Sequence, residues 1–150
     1  MEPPVMKITA IDGKNLNKIW ELKIPNTESS NAFSVGNFND DDIPDFFTFV
    51  SKGVWPESTG SVQIMIDGKT GKIQYQNELG CTGFSSAVIY DLNHDGIDEA
   101  ILSINEMDCG KGFVKNKSNE VTNKLVAIDF NTKNVQIIDP PQRQSTTMML

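Results

Sequence analysis

The chain has 150 residues, 38% of them hydrophobic, which suffices for one domain with a hydrophobic core. Its 13 Lys and Arg against 20 Asp and Glu leave a net charge of −7, and no long basic run supplies the footprint that nucleic acid or anionic lipid requires. No apolar stretch approaches the roughly 18 to 20 residues that span a bilayer. The start "MEPPVMK" lacks the apolar segment of a secretory signal, so the protein is either cytosolic or has its exporting segment outside this chain.

No stretch shows clear helical periodicity. Short runs of β-branched and aromatic residues recur instead, bounded by Gly, Asn, Asp and Pro. In chain order they are "MKITAID", "KIWELKI", "AFSVGNF", "FFTFVSK", "SVQIMID", "KIQYQNE", "SAVIYDL", "EAILSIN", "KLVAIDF" and "VQIID". An all-β chain of short strands joined by tight turns is expected, as a sandwich, a barrel or a propeller.

Self-similarity decides among these. Acidic loops start at Asn37 ("NFNDDDIPD") and Asp91 ("DLNHDGIDE"), 54 residues apart. Alternating with them, a second motif recurs as "AIDGKNLNKIW", "MIDGKTGKIQY" and "AIDFNTKNVQI", its aspartates Asp12, Asp67 and Asp129 separated by 55 and 62 residues. A unit of that length holding four strands is the size of a β-propeller blade. The expected architecture is a partial propeller of about two and a half blades: a hairpin of a preceding blade at 6–24, whole blades at 30–80 and 84–139, and a polar tail at 140–150. Closed propellers need at least about four blades. The chain is therefore expected to be a piece of a longer propeller or to complete its ring by self-association.

The acidic loops carry the chemistry. In "DLNHDGIDE" side-chain oxygens fall at positions one, three, five and nine, which are Asp91, Asn93, Asp95 and Glu99, with Gly96 permitting a tight reversal and the carbonyl of Ile97 available. Alternate residues then point at one centre, as a hard cation demands. Calcium fits best, because it accepts six to eight oxygen ligands with loose geometry, whereas magnesium wants a strict octahedron and zinc prefers His and Cys. His94 should point outward. The first loop offers Asn37, Asn39, Asp41, Asp45 and the carbonyl of Ile43, with Asp42 in the glycine position, where the left-handed conformation carries a cost. Fewer carboxylates predict weaker binding there, and one or two calcium ions are expected at affinities near ~10⁻⁴ to 10⁻³ M or somewhat tighter. An EF-hand would place Glu at position twelve, where Leu102 and Thr48 stand.

These loops resemble the FG-GAP or VCBS repeats of integrin-α-type propellers, whose pattern DxNxDGxxD "DLNHDGIDE" matches and "NFNDDDIPD" approximates. The resemblance implies calcium held in the loop between the two inner strands of a blade. "AIDGKNLNKIW" is similar to the AxDxxTGxxxW signature of quinoprotein-like propellers, whose tryptophan docks between blades; Trp20, Tyr75 and Ile137 occupy that place here. A quinone cofactor is not implied.

In a blade so arranged, Cys81 and Cys109 fall on the same face, opposite the metal loops, and a disulfide between them is plausible; two free thiols are the alternative. A disulfide and weak calcium sites would both suit a periplasmic, cell-surface or secreted address. The second blade is longer by eight residues within Asn105 to Asn123, a place where recognition can evolve on a rigid scaffold. The expected function is a non-enzymatic, calcium-stabilised module that recognises protein or glycan. The competing expectation is the propeller portion of an extracytoplasmic enzyme such as a polysaccharide lyase or quinoprotein-like dehydrogenase. No convergent acid, base or nucleophile is visible to support catalysis.

Overall fold

The computed structural model describes residues 3–30, 32–54, 59–80, 82–84, 86–106 and 120–145. These form twelve strands in three antiparallel sheets, and among them no helix is long and apolar enough to cross a membrane. The all-β expectation holds. No closed barrel or ring forms among the described residues.

The first sheet is a hairpin of β1 (Val5–Ile11) and β2 (Lys18–Pro25). The second contains β3 (Thr27–Ser30), β4 (Ser34–Gly36), β5 (Asp45–Lys52), β6 (Gly60–Ile66) and β7 (Ile73–Leu79). Here β3 and β4 pair in succession along the same strand, β5, which continues through β6 to β7. The third sheet repeats this arrangement with β8 (Thr82–Phe84) and β9 (Val88–Tyr90) along β10 (Glu99–Glu106), followed by β11 (Glu120–Asp129) and β12 (Asn134–Ser145).

Two features depart from the sequence pattern. The polar β3 and the three-residue β8 carry no apolar alternation, yet both pair with the far ends of the strands that β4 and β9 also use. Residues 140–145, expected as a polar tail, continue β12 and pair with β11 from Asn123↔Gln142 to Glu120↔Ser145. Pro140 and Pro141 are tolerated because β12 is an edge strand and the register shifts between Asn123 and Leu125, where no ladder N–H is demanded of them.

Packing follows from strand alternation. Phe47, Phe49 and Met65 of the second sheet meet Ala100, Leu102, Ile104, Val126 and Ile128 of the third in one core. Val50, Val62, Ile64 and Ile66 face the other way and receive Met6, Ile8, Trp20, Leu22 and Ile24 of the first sheet. The second sheet is thus covered on both sides, and every residue of β6 is buried. That accounts for the apolar-on-both-faces character of "FFTFV" and "SVQIMI", since neither face meets water.

Candidate metal centre

Both acidic loops join an edge strand to the strand it pairs with, β4 to β5 and β9 to β10. Each ends on a buried carboxylate, Asp45 at 0% exposure and Glu99 at 4%. In each, that carboxylate accepts the main-chain N–H of the loop's second residue: Phe38 N–H to Asp45 Oδ2 at 3.1 Å, and Leu92 N–H to Glu99 Oε2 at 2.6 Å. The loops are thereby closed on themselves from opposite ends.

The second loop winds about Asp91 and Asp95. Asp91 accepts the N–H groups of Asp95 at 3.1 Å and Gly96 at 3.0 Å, Asn93 Oδ1 accepts Asp95 N–H at 3.0 Å, and Asp95 Oδ1 accepts Ile97 N–H at 2.9 Å. Gly96 takes φ +91°, the left-handed turn that a side chain resists. His94 also has a positive φ, 61°, and is exposed with its ring against Tyr90, so it points away from the loop centre as expected.

The first loop takes a different path. Asp42 is not among the described residues with positive φ, so it does not imitate the glycine; lacking that freedom, the chain reverses without a left-handed residue there. Asp41 Oδ1 accepts Ile43 N–H at 2.8 Å while its Oδ2 lies 3.9 Å from Lys69 Nζ. Asp45 is saturated with donors, adding Gly68 N–H at 2.8 Å and Asn39 Nδ2 at 3.1 Å. Asn37 turns out of its own loop: its Nδ2 donates to Gly96 O at 3.0 Å, its N–H to Asp98 Oδ2 at 2.8 Å, and its carbonyl accepts Asp98 N–H at 2.7 Å. Asp98, which the ligand spacing passes over, is the residue that fastens the two loops together.

Among the described residues no group of three or more His, Cys, Asp or Glu could hold a metal ion by itself. The donors of these loops are mixed, carboxylates with amide oxygens and a main-chain carbonyl, which is the chemistry that calcium takes and zinc does not. Among the described residues two buried oxygens lack any donor, Asn39 Oδ1 in the first loop and Glu99 Oε1 in the second. Burial raises the pKa of Glu99, with Asp129, Asp95 and Asp91 adding to it against the Leu92 N–H. Burial likewise raises Asp45, opposed by the N–H groups of Gly68 and Phe38 and reinforced by Asp67 and Asp41. A cation would reverse both effects.

The recurring aspartates do other work. Asp12, Asp67 and Asp129 each accept the N–H two residues on, from Lys14, Lys69 and Asn131. The residue four positions on has a positive φ in each turn: Leu16 at 62°, Gly71 at 72° and Lys133 at 58°. They are turn caps, which spacing alone does not reveal. Cys81, Cys109 and most of the long insertion lie outside the described residues. Comparison of the chain with family models, with curated proteins and with solved structures finds no match.

Proposed function

We propose that this chain is a calcium-stabilised β-propeller module of the FG-GAP or VCBS kind, non-enzymatic, serving protein or glycan recognition outside the cytoplasm. The observation that carries the reading is the pair of buried, donorless oxygens, Glu99 Oε1 and Asn39 Oδ1, one in each acidic loop at a ligand position. A buried oxygen without a donor is costly, by about 1 to 3 kcal/mol, and more where it is charged. A divalent ion answers it.

The propeller part is supported by the way the sheets stack. Each of the later sheets is a meander whose first strand is split, and equivalent positions face the same way in both. Apolar residues are left exposed on the end sheets, Ile11 and Ile19 on the first and Val88 and Tyr90 on the third. Such faces suit further blades, from a longer chain or from a second copy.

The test is a calorimetric titration of the EDTA-stripped protein with calcium chloride. We expect heat of binding and a rise in melting temperature, with Asp95→Ala abolishing the stronger site. No heat and no change in melting temperature would refute the reading.

A further inference from the structure

A cavity of about 160 Å³ lies in the third sheet between the second acidic loop and the β11–β12 turn. Its polar wall is Asn93, Glu99, Asp129, Asn134 and Gln136. Glu99 is 4% exposed and has one oxygen held by Leu92 N–H and the other without a donor.

The second sheet shows how such a gap closes when the chain supplies its own donors. There Gln74 Nε2 donates to Asp67 Oδ2 at 3.2 Å, Asn39 Nδ2 reaches Asp45 Oδ1 at 3.1 Å and Gln74 Oε1 at 3.4 Å, and Gly68 N–H reaches Asp45 Oδ1 at 2.8 Å. The corresponding residues of the third sheet are Gln136 for Gln74, Asn93 for Asn39 and Phe130 for Gly68. Asn93 Nδ2 is turned instead to Asp95 Oδ2 at 3.1 Å. Asp129 accepts Asn131 N–H, Thr132 N–H and the Thr132 hydroxyl, as Asp67 accepts Lys69 N–H, Thr70 N–H and the Thr70 hydroxyl, but unlike Asp67 it receives no bond from the glutamine of the next strand. Among the described residues no protein donor fills the place, and what lies there must satisfy a carboxylate next to a second carboxylate.

We infer that Gln136 and Asn134 complete, across this cavity, the oxygen shell of a hard divalent cation held by the second acidic loop. The inference rests on the calcium reading of that loop. On that reading the loop offers five oxygens, from Asp91, Asn93, Asp95, Glu99 and the carbonyl of Ile97, of which those of Asn93 and Glu99 line the cavity, and calcium takes six to eight. Two side-chain amide oxygens bring five to seven. Asp129, both of whose oxygens are engaged by its own turn, contributes charge rather than a ligand. The first loop has Gln74 engaged with Asp67 and Lys72 in the place of Asn134, so it lacks this completion.

The experiment is a calcium chloride titration of the full chain by calorimetry, with a metal-free thermal melt of each variant. Gln136→Leu and Asn134→Leu should each weaken calcium binding about tenfold, the scale on which supporting residues tune metal sites, while leaving the metal-free melting temperature unchanged. Gln136→Glu, which keeps an oxygen and adds charge, should restore or tighten binding. If both leucine variants bind calcium as tightly as the parent while Asp95→Ala does not, the turn contributes nothing and only the loop reading stands. If Gln136→Glu weakens binding as much as Gln136→Leu, the side chain serves packing and the inference falls. If the parent chain takes up no calcium, the inference falls together with the loop reading.

Discussion

The indole N–H of Trp20 donates to the carbonyl of Gly68 at 2.7 Å, joining the first sheet to the turn of the second across 48 residues of sequence. The same ring lies over Gly71, where an added Cβ would come within 2.6 Å of it. Gly68 is as tightly placed on its other side, since a Cβ there would fall 1.8 Å from the carbonyl oxygen of Pro44 in the first acidic loop. The turn is therefore clamped between an aromatic residue of one sheet and the acidic loop of its own. Tyr75, in the position corresponding to Trp20, repeats the contact against Phe130 of the third sheet at 5.2 Å.

Gly71→Ala should destabilise the fold by about 2 to 4 kcal/mol, combining the cost of a side chain at φ +72° with overpacking against Trp20. Trp20→Phe, which removes only the hydrogen bond and part of the ring, should cost about 1 kcal/mol. Urea unfolding of the two variants and of their combination checks this: the double variant should lose less than the sum, because the smaller ring relieves the clash.

Glu99→Gln should stabilise the metal-free protein at neutral pH by about 1 to 2 kcal/mol while removing calcium binding at the second loop. The direction follows from the raised pKa of Glu99, caused first by burial and then by Asp129, Asp95 and Asp91. A carboxyl whose folded pKa lies above its unfolded value favours the fold below the unfolded pKa, and that contribution is lost as pH rises through the folded pKa. The advantage of glutamine should therefore fade in EDTA as pH is lowered toward 4.5 and below. An advantage independent of pH would contradict the assignment.

Asp67 and Asp129 behave oppositely. Burial raises each, but the hydroxyls and N–H groups of Thr70 and Thr132 with the N–H groups of Lys69 and Asn131 outweigh it and hold both below the ordinary carboxylate value. The charge of Lys69 lowers the first of these further. The stability they contribute is complete above about pH 3.8 and is lost as pH falls through their folded values. Asp67→Asn should cost about 1.5 to 3 kcal/mol at pH 7 and progressively less in strong acid, as denaturation followed by circular dichroism would show.

Phe130 touches Phe38 at 4.7 Å, Tyr75 at 5.2 Å and Phe47 at 5.4 Å between ring centroids, so one side chain of the third sheet meets three aromatics of the second. Phe130→Ala should cost about 3 to 5 kcal/mol in urea unfolding, the range for emptying a buried aromatic site. If the variant loses under 1 kcal/mol, the contact between second and third sheets does not contribute as its burial indicates.

Sequence alone determined the strands with strong alternation, the turns between them and the two oxygen-rich loops, because each of these is written in residues close together in the chain. "SVQIMID" reads as a strand and "DGKTGK" as a turn whatever surrounds them. Tertiary structure decided the rest. β3 is polar and β8 only three residues long, and both exist through pairing with the ends of β5 and β10; residues 140–145 become strand because β11 offers a partner. Asp98 is silent as a ligand in the loop pattern, yet it holds Asn37 from 61 residues away. Whether a buried carboxylate oxygen is satisfied depends on which distant N–H reaches it, and that separates Asp45, closed by Gly68, from Glu99, left with an oxygen open.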